Sequence, residues 1–228
     1  MKKYLTRILA LAAVSFLCAM SDYAETITSV PFVIKKSGTY TLDANLTYSG
    51  ASNTKAITVE ASNVVIDLNG FTLTGASSTL GIATKTAGVT NLTVQHGTIS
   101  GFSSDISLED TQQFLVQNVR LLNQFFGVSA TSCSFSTIQN CFIVGQGGST
   151  TGINLQSCSG VVVKSNQISS CSYGCLAQDT SGNLFIANQM ASCTTGLGLS
   201  GGDKYQGNLT TGCAVPFNGG IAVGYDNN

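Results

Sequence analysis

The sequence predicts an all-β solenoid: a single-stranded, right-handed parallel β-helix of about seven rungs of roughly 22 residues each, capped at both ends. The segment SNQISSCSYG at 165–174 is followed, 22 residues later, by the similar segment ANQMASCTTG at 187–196. A fixed offset of this size indicates stacked repeats. Apolar residues alternate in short runs, as at Val161 and Val163, which is the period of a strand and not of a helix.

Three columns of matching residues recur at similar spacing through the repeats. The first column is one apolar anchor in each repeat: Leu68, Val94, Val116, Ile138, Val163, Phe185 and Tyr205. The second is a small turn residue followed by an apolar one: Gly81-Ile82, Asp105-Ile106, Gly127-Val128, Gly152-Ile153, Gly174-Cys175, Gly196-Leu197 and Gly220-Ile221. The third lies five residues after the anchor: Leu73, Ile99, Leu121, Ile143, Ile168 and Met190. Glycine suits the second column because such corners often need a positive φ.

Residues 1–24 are predicted to be a signal peptide. Lys2, Lys3 and Arg7 form a positive region, and residues 8–17 form an apolar segment that is too short to span a bilayer. Cleavage after Ser21 and cleavage after Ala24 both fit the sequence. No later apolar run is long enough for a membrane span. The mature protein is therefore expected to be secreted, periplasmic or held at the cell surface.

The remaining chain divides into a cap, a repeat region and a second cap. Residues 25–62 are predicted to form the N-terminal cap and the first strand of the stack, since the end of a solenoid needs atypical sequence to cover its open core. Residues 63–213 form the parallel β-helix. Residues 214–228, which include Pro216 and Phe217, form the C-terminal cap.

Three segments resemble a known family. NVVIDLNGFTLTG at 63–75 and NLTVQHGTISGF at 91–102 look like the opening rungs of bacterial right-handed parallel β-helix repeat proteins, of the pectate-lyase-like superfamily. PFVIKKSGTYTLDANLTY at 31–48 is similar to the segment that precedes the helix in that family. The resemblance implies the fold. It leaves the activity open, because the superfamily includes lyases, hydrolases, esterases, epimerases and proteins without known chemistry.

The charge of the chain excludes one class of partner. Charged residues make up 9% of the sequence and the net charge is −1, whereas about 25% is usual. No basic run follows the first seven residues. Nucleic-acid binding needs clustered Lys and Arg to neutralise phosphates, so nucleic acid is not expected as a partner.

The acidic residues of the repeats do not predict a catalytic pair. Glycoside hydrolysis needs two carboxyl groups about 5–9.5 Å apart. Asp110 and Asp179 share a column, but three rungs of about 4.8 Å separate them. Asp67 is expected to have Thr93 as its rung neighbour. No cluster of Asp ligands for Ca²⁺ can be assembled from this spacing, and we assign no catalytic residue.

One polar stripe is the candidate ligand-binding surface. Its residues follow the anchors or lie near the single histidine: Asn69, Gln95, His96, Gln117, Arg120, Gln139 and Lys164. Amides and Arg suit the recognition of sugar hydroxyls. The alternative is structural: the glutamines would form an amide ladder along the solenoid, and His96 would fill a corner that Gly70 and Asn118 occupy in adjacent rungs.

The cysteines form two further columns. Cys171, Cys193 and Cys213 each lie eight residues after an anchor, and Cys133 and Cys158 each lie five before one. Side chains on parallel strands run side by side, so we expect mainly buried thiol ladders, with one or two disulfides after export as the alternative. The CxxC pattern typical of zinc sites is absent. No metal and no cofactor are predicted.

Together these features favour an exported β-helix scaffold or adhesion-type protein without a catalytic constellation. A polysaccharide or cell-surface glycan bound along one face is the expected partner. The alternative, which the family resemblance implies, is a polysaccharide lyase or a glycoside hydrolase.

Overall fold

The computed structural model describes residues 23–85, 88–122 and 125–224, and these residues form 23 parallel-paired strands. The first twelve strands are β1 (Ala24–Ile27), β2 (Phe32–Ile34), β3 (Gly38–Leu42), β4 (Leu46–Thr47), β5 (Lys55–Val59), β6 (Val64–Asp67), β7 (Thr72–Thr74), β8 (Leu80–Thr84), β9 (Leu92–Ser100), β10 (Ser104–Glu109), β11 (Leu115–Leu122) and β12 (Phe126–Thr131). The others are β13 (Thr137–Gln139), β14 (Phe142–Val144), β15 (Thr151–Gln156), β16 (Val162–Lys164), β17 (Gln167–Ser169), β18 (Tyr173–Gln178), β19 (Ser181–Ile186), β20 (Gln189–Ala191), β21 (Thr195–Gln206), β22 (Leu209–Thr211) and β23 (Val215–Ala222).

The strands stack into three parallel faces around one core. Face A holds β1, β3, β6, β13, β16 and β19, the first halves of β9 and β11, and the ends of β21 and β23. Face B holds β4, β7, β14, β17, β20 and β22 with the second halves of β9 and β11. Face C holds β2, β5, β8, β10, β12, β15 and β18 with the starts of β21 and β23.

The predicted parallel β-helix is therefore confirmed. Face B has eight strands or strand segments, which corresponds to about eight turns, against the predicted seven or so. Strands β1 and β2, in the predicted N-terminal cap, pair in register with β3 and β5. Residues 1–22, most of the predicted signal peptide, lie outside the described residues. No helix that could cross a membrane occurs in the part of the chain that the structure describes.

The register corrects two ends of the predicted columns. Val94 pairs with Ile66, so Ile66 and not Leu68 precedes Val94 in the anchor column. Leu68 is also fully buried, but it lies beyond the end of β6. At the other end Leu197 pairs with Phe217, so the predicted match to Gly220-Ile221 is wrong. The anchors between Val94 and Tyr205 pair as predicted.

The corners of the solenoid are made by residues with left-handed backbone conformation. The corner between faces A and B repeats this conformation at His96, Asn118, Asn140, Ser165, Ala187 and Gly207, with φ between 52° and 60°. The glycines of the second column that pair as predicted do not have positive φ, and the prediction that they need it is wrong; they are Gly81, Gly127, Gly152, Gly174 and Gly196. Instead, a Cβ at Gly152 would lie 2.6 Å from the carbonyl oxygen of Gly174. That column needs glycine because the next rung leaves no space for a side chain.

A ladder of asparagines lies inside the corner that follows face A. Asn188 Oδ1 accepts hydrogen bonds from the main-chain N and from Nδ2 of Asn166, at 3.1 and 3.0 Å. Asn208 Oδ1 accepts the same two bonds from Asn188, at 3.0 and 2.9 Å. All three side chains are buried, with 0–1% of each residue exposed. The ladder therefore supplies hydrogen-bond partners to buried main-chain groups that would otherwise have none.

Candidate functional site

The glutamines of face A form a continuous ladder of hydrogen bonds. Gln139 Nε2 donates to Gln117 Oε1 at 2.9 Å, and Gln117 Nε2 donates to Gln95 Oε1 at 3.0 Å. Gln95 Nε2 donates to Asp67 Oδ2 at 2.9 Å. The neighbour of Asp67 is thus Gln95 and not the expected Thr93. The amide ladder that the sequence offered as a structural alternative is confirmed.

His96 lies at the end of this ladder, where face A turns into face B. Its Nδ1 is 3.1 Å from Asp67 Oδ2, and 49% of its side chain is exposed. Burial acts to raise the pKa of Asp67, but hydrogen bonds from Gln95, the Asn69 main chain and His96 outweigh it and lower that pKa. Asp67 therefore orients the His96 ring through Nδ1.

The other predicted site residues do not join this group through side-chain contacts. The Asn69 main-chain N donates to Asp67 Oδ1 at 2.8 Å, and its Nδ2 donates to the Leu42 carbonyl at 3.3 Å. Arg120 lies on face B with its guanidinium 5.4 Å from the centre of the Phe142 ring. Lys164 is exposed and pairs in register with Gln139. The predicted stripe is thus a structural ladder with flanking groups, and the structure does not gather it into a pocket.

A groove on face C is a further candidate binding surface, and sequence analysis missed it. It encloses about 430 Å³. It is lined by Phe126, Ser149, Thr151, Asn154, Gln156, Ser172, Tyr173, Leu176 and Gln178. Phe126, Thr151 and Tyr173 occupy the same register on three successive strands. The two rings therefore lie about 10 Å apart along the solenoid, with the smaller threonine between them.

Three amide side chains of this groove differ from the glutamines of face A. The side chains of Asn154, Gln156 and Gln178 make no hydrogen bond within the described residues. Gln156 and Gln178 are exposed, and they pair in register on adjacent strands. No charged side chain lines the groove. The groove thus combines aromatic surface with free amide donors and acceptors. Its lining carries no charged side chain that would attract a charged ligand.

The N-terminal end of face C has different chemistry. A cleft of about 390 Å³ is lined by Val33, Asn53, Thr54, Lys55, Thr58, Glu60 and Lys85. Lys85 Nζ lies 2.7 Å from Glu60 Oε1, and Lys55 Nζ donates to the Thr84 carbonyl at 2.7 Å. Burial lowers the pKa of Lys55. The charges here have partners within the fold, so the neutral groove is the stronger candidate for an external ligand.

Asp105 is a buried carboxyl group with no function in this groove. It occupies the glycine column, is fully buried, and neither carboxyl oxygen has a hydrogen-bond partner. Burial raises the pKa of Asp105 well above its usual range, although the nearby Phe102 and Leu122 amides lower it in part. Burial thus favours the protonated form of Asp105, which links the group to pH-dependent stability rather than to binding.

The seven cysteines of the described residues are free thiols, six of them buried. Cys171, Cys193 and Cys213 are stacked in one column, and Cys133 and Cys158 in another. The expected thiol ladders are present. Because strands are spaced by about 4.8 Å, the outer members of the three-thiol column lie about 10 Å apart. One ion cannot contact all three.

Comparison with known proteins identifies the family. The sequence matches the family described as "Periplasmic copper-binding protein (NosD)" over residues 25–224. The chain belongs to the NosD family. NosD is described as periplasmic, which agrees with the predicted export. The parallel β-helix repeat architecture suggested by the sequence resemblance is confirmed. No curated protein shows detectable similarity in sequence.

One solved structure shares the β-helix architecture, and a second aligns only weakly. The enzymatically active domain of tailspike protein 2 from bacteriophage CBA120 aligns with a TM-score of 0.64 and 13% identity. The alignment covers 90% of this NosD-family chain and 39% of the tailspike domain. The A-module of the mannuronan C-5 epimerase AlgE6 from Azotobacter vinelandii aligns with a TM-score of 0.33 and 11% identity, over 89% of each chain. At this identity the tailspike likeness shows the fold alone.

The described residues do not fit the copper site that the NosD description implies. They contain no group of three or more His, Cys, Asp or Glu residues that could hold a metal ion. His96 is held by Asp67 alone, and the thiols are spread along columns. We therefore derive no chemistry through copper for this chain.

Proposed function

We propose that this protein is a periplasmic, non-catalytic β-helix scaffold that binds a neutral glycan in the groove of face C. The observation that carries the proposal is the set of unpaired amides of Asn154, Gln156 and Gln178 beside the rings of Phe126 and Tyr173. Sugar recognition needs this combination, because hydroxyl groups require both donors and acceptors while the faces of the ring prefer apolar contact.

The proposal places the ligand on face C instead of the glutamine stripe of face A. In the stripe each of Gln95 and Gln117 already accepts one hydrogen bond and donates another. A ligand would have to break that ladder, and each broken bond would offset a bond gained. The side chains of the groove amides make no hydrogen bond within the described residues, so a ligand can bind them without breaking one. The role of the stripe in binding stays an untested prediction.

The neutral character of the ligand follows from the residues that line the groove. None of them is Asp, Glu, Lys or Arg. A carboxylated or sulfated sugar placed there would lose hydration without gaining an ion pair. We therefore expect binding to change little with salt, because screening acts on charge pairs.

The test begins with a glycan array on the purified mature chain and continues by calorimetric titration of the glycan found. Tyr173→Ala removes one aromatic wall and should weaken binding about tenfold or more, which corresponds to about 1.4 kcal/mol. The matched control is Phe142→Ala, which removes another partly exposed aromatic side chain, on face B. We expect the control to stay within about twofold of wild type, because 0.4 kcal/mol or so is the usual scatter of surface substitutions.

Two results would contradict the proposal. One is a set of array ligands that are all acidic and are released by moderate salt. The other is a titration in which Phe142→Ala weakens binding as much as Tyr173→Ala does. Either result would remove face C as the neutral glycan site and direct attention to the charged cleft or to face B.

The second candidate function is cleavage of a polysaccharide, and one observation favours it. The Asp67–His96 pair has the geometry in which a carboxylate orients an imidazole for proton transfer. An assay for reducing ends and for unsaturated products separates the two candidates. Turnover that is abolished in a folded His96→Ala variant and retained in Tyr173→Ala would establish that the protein is an enzyme. It would contradict the proposal of a non-catalytic scaffold.

A further inference from the structure

The column of Cys171, Cys193 and Cys213 lies where face B turns into face C. Each of these cysteines follows a residue with left-handed backbone conformation, Ser170, Ser192 and Gly212, with φ of 58°, 54° and 64°. The same corner conformation thus precedes all three cysteines. Cys193 is the central member, and its thiol is within hydrogen-bond range of both Cys171 and Cys213.

The backbone spacing of this column is compatible with a covalent bond. Ala191 pairs with Thr211, so Cys193 and Cys213 occupy equivalent positions on adjacent turns. Parallel strands place such Cα atoms about 4.8 Å apart, within the range of about 4.4–6.8 Å found for disulfides. The sulfurs have to approach from hydrogen-bond contact to about 2.05 Å, which requires rotation of at least one side chain.

Exposure distinguishes the members of the column. Cys171 and Cys193 are each 3% exposed, whereas Cys213 is partly exposed. Strand β22, which precedes Cys213, pairs with β20 alone among the described strands, and its own residues are mostly exposed. Cys213 therefore has the access that a solvent oxidant requires.

The second column provides an internal comparison. Cys133 and Cys158 also follow left-handed residues, Ser132 and Ser157, and their thiols are also in hydrogen-bond contact. Each of the two cysteines is only 1% exposed. The same corner geometry thus occurs once with an accessible thiol and once without.

We propose that Cys193 and Cys213 are a modification site: they form a disulfide between adjacent turns when a soluble disulfide oxidant reaches Cys213, while Cys171 and the Cys133–Cys158 pair stay reduced. The periplasm is an oxidising compartment, where accessible thiol pairs are converted to disulfides. The proposal does not depend on the glycan function.

The chemistry needs an oxidant of the disulfide class, RSSR. The Cys213 thiolate attacks one sulfur of RSSR, the S–S bond of the oxidant breaks, and one RS⁻ leaves. The Cys193 thiolate then attacks the Cys213 sulfur of the mixed disulfide and expels the second RS⁻. The two protons lost by the protein thiols go to the two RS⁻ groups. The protein loses two electrons and the oxidant is reduced to 2 RSH.

The electrostatics of the column support the second step. The thiol of Cys171 hydrogen-bonds to Cys193 and lowers the pKa of Cys193, and Cys213 acts in the same direction although burial opposes both. A lower pKa increases the fraction of the resolving thiol that is thiolate. Cys193 is the resolving residue because it lies on the turn next to Cys213, whereas Cys171 lies one turn farther away.

The test uses the mature chain, purified under reducing conditions and then incubated with glutathione disulfide. Remaining thiols are alkylated after unfolding, and the linkage is mapped by peptide mass spectrometry. We expect the wild type to lose two alkylated thiols and to yield the Cys193–Cys213 linked peptide. Cys193→Ser should instead retain glutathione on Cys213, because the resolving thiol is gone. Cys213→Ser should lose no thiol.

The matched control is Cys158→Ser, which should lose the same two thiols as wild type. A wild type that keeps all its thiols, or that carries only glutathione on Cys213, would overturn the proposal. So would a linkage between Cys171 and Cys193, or between Cys133 and Cys158. Because the linkage map is made on wild type, the proposal stays testable even if a variant fails to fold.

Discussion

The buried asparagine ladder predicts a large and specific loss of stability on truncation of its central member. Asn188→Ala removes the acceptor of the Asn166 main-chain N–H and of Asn166 Nδ2, and it removes the donor to the Val163 carbonyl at 2.9 Å. These groups are buried, so water cannot replace the amide. The substitution therefore leaves at least two unpaired polar groups inside the solenoid.

The size of the effect follows from the number of groups left unpaired. A buried donor or acceptor without a partner costs about 1–3 kcal/mol, so two of them cost about 2–6 kcal/mol, and we expect about 4 kcal/mol for Asn188→Ala. The matched control is Gln117→Ala, which breaks a ladder of the same type on face A. Gln117 is only half-buried, so water can take its place, and the cost should be about 1 kcal/mol or less.

The measurement is urea unfolding of wild type and both variants, followed by far-ultraviolet circular dichroism. The slope of unfolding free energy with urea must stay the same among the three proteins for the comparison to hold. Equal costs for Asn188→Ala and Gln117→Ala would refute the reasoning. They would mean that burial does not distinguish the two ladders.

Three further predictions concern the core. Ile138→Asp places an unpaired charge in the anchor column and should cost about 3 kcal/mol or more, which a melting temperature unchanged within a degree would contradict. Gly152→Ala should cost about 1–3 kcal/mol because its Cβ would meet the Gly174 carbonyl, whereas Gly201→Ala, with nothing within 4 Å, should unfold like wild type. Asp105 has a folded pKa above its unfolded value of about 3.9, so wild-type stability should fall as pH rises from about 4. Asp105→Asn should reduce this fall and melt higher than wild type at neutral pH; a lower melting temperature would show that the carboxyl is stabilised in its charged form.

The periodic part of the fold was predictable from sequence because inward apolar positions recur at the spacing of the turns. Val116 and Ile138, 22 residues apart, pair as expected. The prediction fails where the turn length changes. Leu68 and Ile66 are both fully buried, and apolar alternation cannot distinguish a residue at the end of a strand from one at the following corner. Only the pairing of β6 with β9 resolves them.

The sequence predicted glycine at the corners of the solenoid for the wrong physical reason. Glycine at positions such as Gly152 was attributed to positive φ, whereas it is required by close approach of the next rung. Positive φ falls instead on residues such as Asn118 and Ser165. The buried asparagine ladder was missed, although Asn166 and Asn188 recur within the repeated segment. Their identity at matched positions was the available signal.

The candidate site was less predictable than the fold. The glutamine column was visible in the sequence because it repeats at fixed spacing, and repetition is a property of structural ladders. The aromatic column of the face C groove does not repeat: it holds Phe126, Thr151 and Tyr173 on successive strands. A binding surface built from differences between rungs gives no periodic signal, so only the folded arrangement reveals it.

Hydrogen–deuterium exchange with and without a bound neutral oligosaccharide is the most direct test of the central claim. The account predicts that the ligand slows exchange in β15 and β18, which carry the amides and Tyr173 of the groove. Exchange in β13 and in the first half of β11, which carry Gln139 and Gln117, should be unchanged. Slower exchange confined to β11 and β13 would place the ligand on the glutamine ladder of face A and contradict the proposed site.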